Sequence, residues 1–384
     1  DLNFKTPRVL QRVVEVLLYY VRRGADIVRL DAITYVWHEL GTRCAHLKET
    51  HALVQLFRAI LDVVAPHVAV VTETNVPHAD NVSYFGDGSN EAQMVYNFAL
   101  PPLVLHTFYT GSCRELADWA RGLEPVSETA TYFNFLDSHD GVGLLGVQGI
   151  LAPEQIAALV ERAQQHGSLV SYRDRGEGTV APYELNVTWY SALNREEAGE
   201  TMELQVSRFI ASRAIAMCLH GVPGVYLPSL FGARNDTASV LAGAEPRSIN
   251  RRTMDEQALY AMLGDRGSWV HRVASRFRRL IRRRIVTPAF HPNGGQQVLP
   301  CGDAVFGVLR TSPDGVQKVV ALTNVTDRPQ TVVLDAASLE GGAESWRDIL
   351  TSRAIPAPAG GVETTLRPYD VLWLTPARDN GNGR

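Results

Sequence analysis

Apolar residues recur near the helical period at Leu10, Val13, Val14, Leu17 and Val21, behind Thr6-Pro7 and ahead of Gly24. Proline at the first helical position and glycine after the last turn predict an amphipathic helix of about four turns. The pattern then changes to Asp26-Ile27-Val28-Arg29-Leu30-Asp31, too short and too β-branched for a helix, which predicts a strand covered on both faces. Leu53, Leu56, Phe57, Ile60, Leu61 and Val64 restore the helical period as far as Pro66, and Val68 to Glu73 reads as a second strand. Further strands are expected at Met94 to Phe98, Tyr132 to Leu136 and Val222 to Leu227, with helices near Ser112 to Arg121, Gln205 to Leu219 and Trp269 to Arg284. This alternation predicts an α/β fold, a parallel sheet joined by right-handed crossovers.

A long excursion between Asp140 and Asn194 carries its own helix, Pro153 to Gln165, and a Gly-rich turn, Arg173 to Gly178. An interruption of that length points to a functional insertion. After Arg284 the pattern becomes period two at Val305 to Leu309, Lys318 to Leu322, Thr331 to Leu334 and Val371 to Leu374, predicting a separate antiparallel β domain. The expected organisation is an α/β part over residues 1–285, with an insertion at about 141–194, and a β-sandwich-like domain over 286–384.

Composition narrows the function classes. With 384 residues, two or three domains are expected at roughly 150 residues each. Lys and Arg total 37 against 41 acidic residues, a net charge of −4, so no basic field favours nucleic acid or an anionic membrane as partner. The longest uncharged stretch, Ala214 to Ala233, contains His220, Gly221, Pro223, Gly224 and Pro228, a mixture foreign to a membrane helix. Cys44, Cys113, Cys218 and Cys301 are far apart, with neither CxxC pairs nor a His cluster, so no zinc site or disulfide framework is expected and a reducing cytoplasm is the default location. Asp1 opens the chain inside a polar run with no leader before it, which reads as a piece of a longer chain.

The informative residues are acidic. Strand alternation puts Arg29 and Asp31 on one face, where the guanidinium can hold the carboxylate as an anion ready to act as a nucleophile. A structural ion pair would look the same. Glu73 closes the second strand after four uncharged residues, and a glutamate in apolar surroundings keeps its proton, as a general acid must. Asp137-Ser138-His139-Asp140 follows a third strand. Three strands thus deliver acids at their C-terminal ends, where barrel enzymes keep their chemistry. A carboxylate pair with a third acid is the equipment of retaining glycosyl transfer.

Gly24 to Ala32, Val71-Thr72-Glu73-Thr74-Asn75 and Phe135-Leu136-Asp137-Ser138-His139-Asp140 resemble, in order, the three acidic signatures of the α-amylase family, glycoside hydrolase family 13. The resemblance implies a (β/α)8 barrel, with Asp31 as nucleophile, Glu73 as acid/base, Asp140 as transition-state stabiliser, and Arg29 and His139 at the glucose subsite. Trp37 to Thr42, Tyr96 to Leu103, Glu184 to Tyr190 and Ile249-Asn250-Arg251 are similar to sucrose phosphorylases, and Tyr84 to Gly88 with Asn90 to Met94 to the branch holding glucosylglycerate and sucrose-phosphate phosphorylases. It also implies that three barrel strands precede Asp1, leaving five of eight.

The implied activity is transfer of glucose from a glucoside to phosphate, giving α-glucose 1-phosphate. Hydrolysis or transglucosylation by the same acids, and sugar binding without catalysis, are the alternatives. Phosphate use calls for cations, and the segment from Gly232 to Arg252 carries Arg234, Arg247, Arg251 and Arg252 against Asp236 and Glu245. By resemblance Arg251 contacts the glucose subsite, while Arg234, Asn235 and Asp236 sit on a mobile acceptor loop; Arg234 and Arg247 are expected to receive phosphate or a carboxylate-bearing acceptor. Tyr172, Tyr183 and Trp189 are candidates to pack on a sugar. The arginine-rich run Arg276 to Arg284 reads as a solvated helix face. The expected partners are a small glucoside and inorganic phosphate, and neither cofactor nor metal is called for.

Overall fold

The computed structural model describes residues 2–176, 178–195 and 198–377. Asp1, Glu177 of the Gly-rich turn and the tail from Asp379 to Gly383 lie outside the described residues.

Four parallel strands, β1 (Ile27–Leu30), β2 (Ala69–Thr72), β3 (Met94–Tyr96) and β4 (Thr131–Asn134), lie side by side in chain order. The insertion then supplies a three-stranded antiparallel sheet of β5 (Val142–Gly143), β6 (Leu169–Gly176) and β7 (Thr179–Asn186), with β7 in the middle. The chain returns as β8 (Val222–Pro223), which pairs with β4 and completes the parallel set. Sequential order and all-parallel pairing make this five-strand arc part of a (β/α)8 barrel.

The strands are shorter than their apolar runs suggest, and β1 departs from expectation. It is an edge strand, with Ile27 54% exposed rather than covered on both faces. Valines 70 and 71 of β2, one strand further in, are buried. The helices fall close to their predicted spans: Pro7–Arg22 with proline in its first turn, Lys48–Val64, Arg114–Arg121, Pro153–Gln165, Met202–Cys218 and Trp269–Ile285. Leu100–Thr110 is an additional helix, buried over most of its length. None of the helices among the described residues is long and apolar enough to cross a membrane.

The C-terminal part is antiparallel: β9 (Gly295–Val298), β10 (Val305–Thr311), β11 (Lys318–Asn324), β12 (Gln330–Leu334), β13 (Ser345–Asp348), β14 (Ala354–Pro356), β15 (Val362–Leu366) and β16 (Val371–Pro376). Six form one sheet in the order β14-β13-β16-β11-β10-β9, and β12 pairs with β15 as a second layer. Strands β10 and β11 are not half-buried as period two predicts. Phe306, Val308, Val319 and Ala321 belong to the barrel-side core, while Val305, Leu309, Val320 and Leu322 pack into the sandwich, so both faces are covered. True alternation appears in β15, where buried and exposed positions take turns.

Arg310, fully buried on β10, joins the two parts. Its guanidinium donates to the carbonyl oxygens of Cys218 (2.7 Å), His291 (2.7 Å) and Gly295 (3.0 Å). The Cys218 carbonyl closes the helix Met202–Cys218, so a buried cation caps that helix from the β domain.

Candidate active site

The parallel register brings the first two acids together. Leu30 pairs with Thr72, so the next residues, Asp31 and Glu73, leave adjacent strands at the same level. Ala32 turns the chain with φ +46°, and its N–H donates to Glu73 Oε2 at 3.0 Å. Arg29 reaches both carboxylates, with Nη1 2.6 Å from Asp31 Oδ1 and Nη2 3.6 Å from Glu73 Oε2. Its guanidinium also lies 5.4 Å from the Tyr96 ring on β3. Burial pulls the Arg29 pKa down, but Tyr96, Glu73 and Asp31 outweigh it and the net direction is up.

The two carboxylates differ in exposure. The Asp31 side chain is 71% exposed and that of Glu73 only 14%. Burial pushes the Glu73 carboxyl above its ordinary range, opposed by the Ala32 N–H and Arg29 and reinforced by the charges of Asp31 and Asp140. Asp140 is therefore close enough to be felt.

The third acidic segment divides its labour. Asp137 is a structural anion: both its oxygens accept from Arg213, at 2.8 and 2.9 Å, and Ser229 Oγ donates to it. Arg213 is in turn enclosed by Trp189, Phe209 and Phe277, which places Trp189 in the core rather than against a sugar. Asp140 Oδ1 accepts from Arg247 Nη1 at 2.6 Å and from Arg251 Nη2 at 3.3 Å. Arg251 Nε also donates to the His139 carbonyl at 2.6 Å, and Asn250 Nδ2 to the carbonyls of Ser138 and Asp140 at 3.1 and 3.0 Å. The His139 ring, half exposed, stands 3.5 Å from Asp140 Oδ2.

The basic segment after β8 is more committed than its sequence suggests. Arg247 gives Nε and Nη2 to the buried Glu184 of β7, at 2.9 and 2.6 Å, besides its bond to Asp140, so two carboxylates occupy the fork expected to receive an anion. Arg234 is stacked 4.3 Å from the Trp269 ring and 5.7 Å from that of Tyr190. Asn235 Oδ1 accepts from the Thr188 N–H at 2.8 Å, and its amide donates to the Gly167 carbonyl at 3.2 Å. Asp236 caps the short helix Thr237–Leu241 through the Ser239 N–H and hydroxyl. Arg234 and Asn235 fasten the segment to its surroundings, while Asp236 bonds within it. In the arginine-rich helix, Arg276 pairs with Glu203 and Arg284 donates to the carbonyls of Met217 and Gly221, while Arg278, Arg279, Arg282 and Arg283 form the exposed face.

Glu184, Tyr96 and Asn250 were not singled out as site residues by sequence reasoning. Glu184 left a signal: it is the sole charge between Thr179 and Asn186 in an otherwise uncharged strand. Tyr183 beside it has its pKa raised by burial, with Asn75, two residues beyond Glu73, pulling the other way, and Tyr172 is 55% exposed.

Residues 1–164 match the family described as "Alpha amylase, catalytic domain", and residues 303–374 that of "D-apionate lactonase, C-terminal immunoglobulin-like domain". The chain is 48% identical to a glucosylglycerate phosphorylase of Allomeiothermus silvanus over 374 residues, covering 97% of this chain and 64% of that protein. It is 41% identical to the glucosylglycerate phosphorylase of Escherichia coli, with the same 97% and 64% coverage, and 29% identical to a sucrose phosphorylase of Agrobacterium vitis over 73% of this chain and 53% of that one. The chain thus spans just under two thirds of the length of the curated glucosylglycerate phosphorylases it matches. In fold it resembles the crystal structure of sucrose 6F-phosphate phosphorylase from Thermoanaerobacter thermosaccharolyticum, with a TM-score of 0.70 at 24% identity over 85% of this chain and 60% of that one. The order of the acid motifs, the barrel arc that bears them and the reach of these alignments agree, and the chain belongs to the α-amylase family, glycoside hydrolase family 13.

Proposed function

We propose that the protein containing this chain is a retaining α-glucosyl phosphorylase that moves glucose from a glucoside to inorganic phosphate. The observation that carries the reading is Arg29 joining an exposed carboxylate, Asp31, to a largely covered one, Glu73, whose pKa is raised. Asp31 attacks the anomeric carbon while Glu73 gives its proton to the departing oxygen, and a covalent glucosyl-enzyme forms. Phosphate then attacks the same carbon, Glu73 takes back a proton, Asp31 leaves and α-glucose 1-phosphate is released with the original anomeric configuration. Asp140 opposes the positive charge that develops on the sugar in both steps. Arg251 and His139 flank Asp140 and take the glucose-subsite roles that the family resemblance gives them.

Similarity to glucosylglycerate phosphorylases along nearly the whole chain supports phosphate as the second acceptor and glucosylglycerate as the donor. Four free cysteines fit a reducing cytoplasm. The test follows α-glucose 1-phosphate released from glucosylglycerate and from sucrose, with and without phosphate, by the protein at the full length of its reading frame. Phosphate-dependent release with glucosylglycerate preferred is the expected result. Preference for sucrose would move the donor, and phosphate-independent release of glucose would reject phosphorolysis.

A further inference from the structure

Asp140 is flanked by two arginines, and a carboxylate between two cations is poorly placed to attract a third, the glucosyl cation forming in front of it. The structure contains a remedy. Glu184 sits on β7 of the insertion, 2% exposed, and its carboxylate accepts three hydrogen bonds: from Arg247 Nε and Nη2 at 2.9 and 2.6 Å, and from the Gly141 N–H at 3.0 Å. The bidentate grip holds the guanidinium flat, with its remaining nitrogen, Nη1, directed 2.6 Å onto Asp140. With Glu184 in place, two carboxylates share two arginines. Without it the same group carries one net positive charge.

We infer that Glu184 is a positioning residue of the glucosyl-transfer site, acting through Arg247 to orient Asp140 and to cancel the positive charge that would otherwise blunt it. The inference rests on the role proposed above for Asp140. Gly141, next to Asp140, makes the contact possible: a Cβ there would stand 2.6 Å from Glu184 Cγ and 2.4 Å from the Leu185 carbonyl. A buried carboxylate aimed at a half-exposed arginine is a costly arrangement for stability alone.

The test compares the full-length parent with Glu184→Gln, which keeps the side-chain shape and an acceptor for Gly141 but removes the charge. Calorimetry measures binding of a cationic glucose analogue, a protonated iminosugar, beside neutral glucose. The variant should bind the cation at least tenfold more weakly and glucose within threefold, while kcat falls roughly 10- to 100-fold with KM within threefold. Glu184→Asp, which restores the charge on a shorter arm, should recover most of the cation affinity. Equal losses for cation and glucose, or an unchanged kcat, would overturn the inference, because a merely structural role does not read charge. If Glu184→Gln does not fold, Arg247→Gln provides the comparison: removing the cation should favour the iminosugar relative to glucose, and the opposite change overturns the idea. Failure of the parent to use phosphate would sink the phosphorylase reading while leaving the iminosugar comparison intact.

Discussion

At the level of single residues, Asp31 and Glu73 differ in what their removal should cost. Asp31 is largely exposed, so Asp31→Asn should leave the melting temperature within a degree or two and still reduce glucosyl transfer to every acceptor by several orders of magnitude. Glu73→Gln should act selectively. Donors with fluoride or nitrophenolate leaving groups need little protonation and should keep most of their first-step rate, whereas natural glucosides lose their acid; equal loss on both would remove Glu73 from that role. The same substitution carries a stability signature. Burial raises the Glu73 carboxyl above its unfolded value near 4.5, so the folded state is penalised for ionising it. That penalty is absent below the unfolded pKa, grows as pH rises through it and is complete above the folded pKa. Glu73→Gln should therefore melt higher than the parent at pH 7, with the gap closing toward pH 4. A gap independent of pH would contradict the burial argument.

Among the elements, the β6–β7 hairpin lies outside the barrel and still reaches Asp140, through Glu184 and Arg247. Gly141→Ala forces a methyl against Glu184 and the Leu185 carbonyl, and overpacking of this kind costs roughly 1 to 3 kcal/mol. The variant should melt several degrees lower and lose at least tenfold in kcat, because the hairpin and Asp140 can no longer meet; unchanged kcat would show that the two elements move independently. Much at this level is legible from sequence. The strands ending in Asp31 and Glu73 are short β-branched runs, and their common direction follows from the intervening helix. What escapes is whatever depends on distant partners. Nothing near Asp137 announces Arg213, 76 positions away, so two acids in one short segment read alike although one is structural. Arg247 reads as an open cation because Glu184 is 63 positions off. Leu100-Pro101-Pro102 hides a helix start, though prolines suit a first turn. The short strands β13 and β14 lack a run long enough to show any period.

For the whole molecule, the open arc governs solution behaviour. Among the described residues, β1 and β8 each pair on one side alone, and Ile27, Leu227, Ile285 and Val286 are 54 to 73% exposed. Open edges and apolar patches favour association, so the 384-residue chain expressed by itself should elute larger than a monomer and bind a hydrophobic dye. A monomeric, cooperative melt would show the arc to be self-sufficient. Arg310 tests the join between barrel and β domain: Arg310→Ala strands the buried Cys218 carbonyl oxygen, removes the bonds to those of His291 and Gly295, and should cost about 3 kcal/mol, read as a lower midpoint of a single transition in urea. Two transitions instead of one would mean that the parts fold separately. The segment between Gly232 and Arg252 is bound to the insertion at several points, among them Asn235 to Thr188 and Arg247 to Glu184, across 47 and 63 positions of sequence. For anyone recombining relatives, those two stretches form one heritable cassette. Wherever an incoming loop lacks a cation at the position of Arg247, a chimera that keeps this hairpin would leave the buried Glu184 carboxylate unpaired, so the two stretches are best exchanged together.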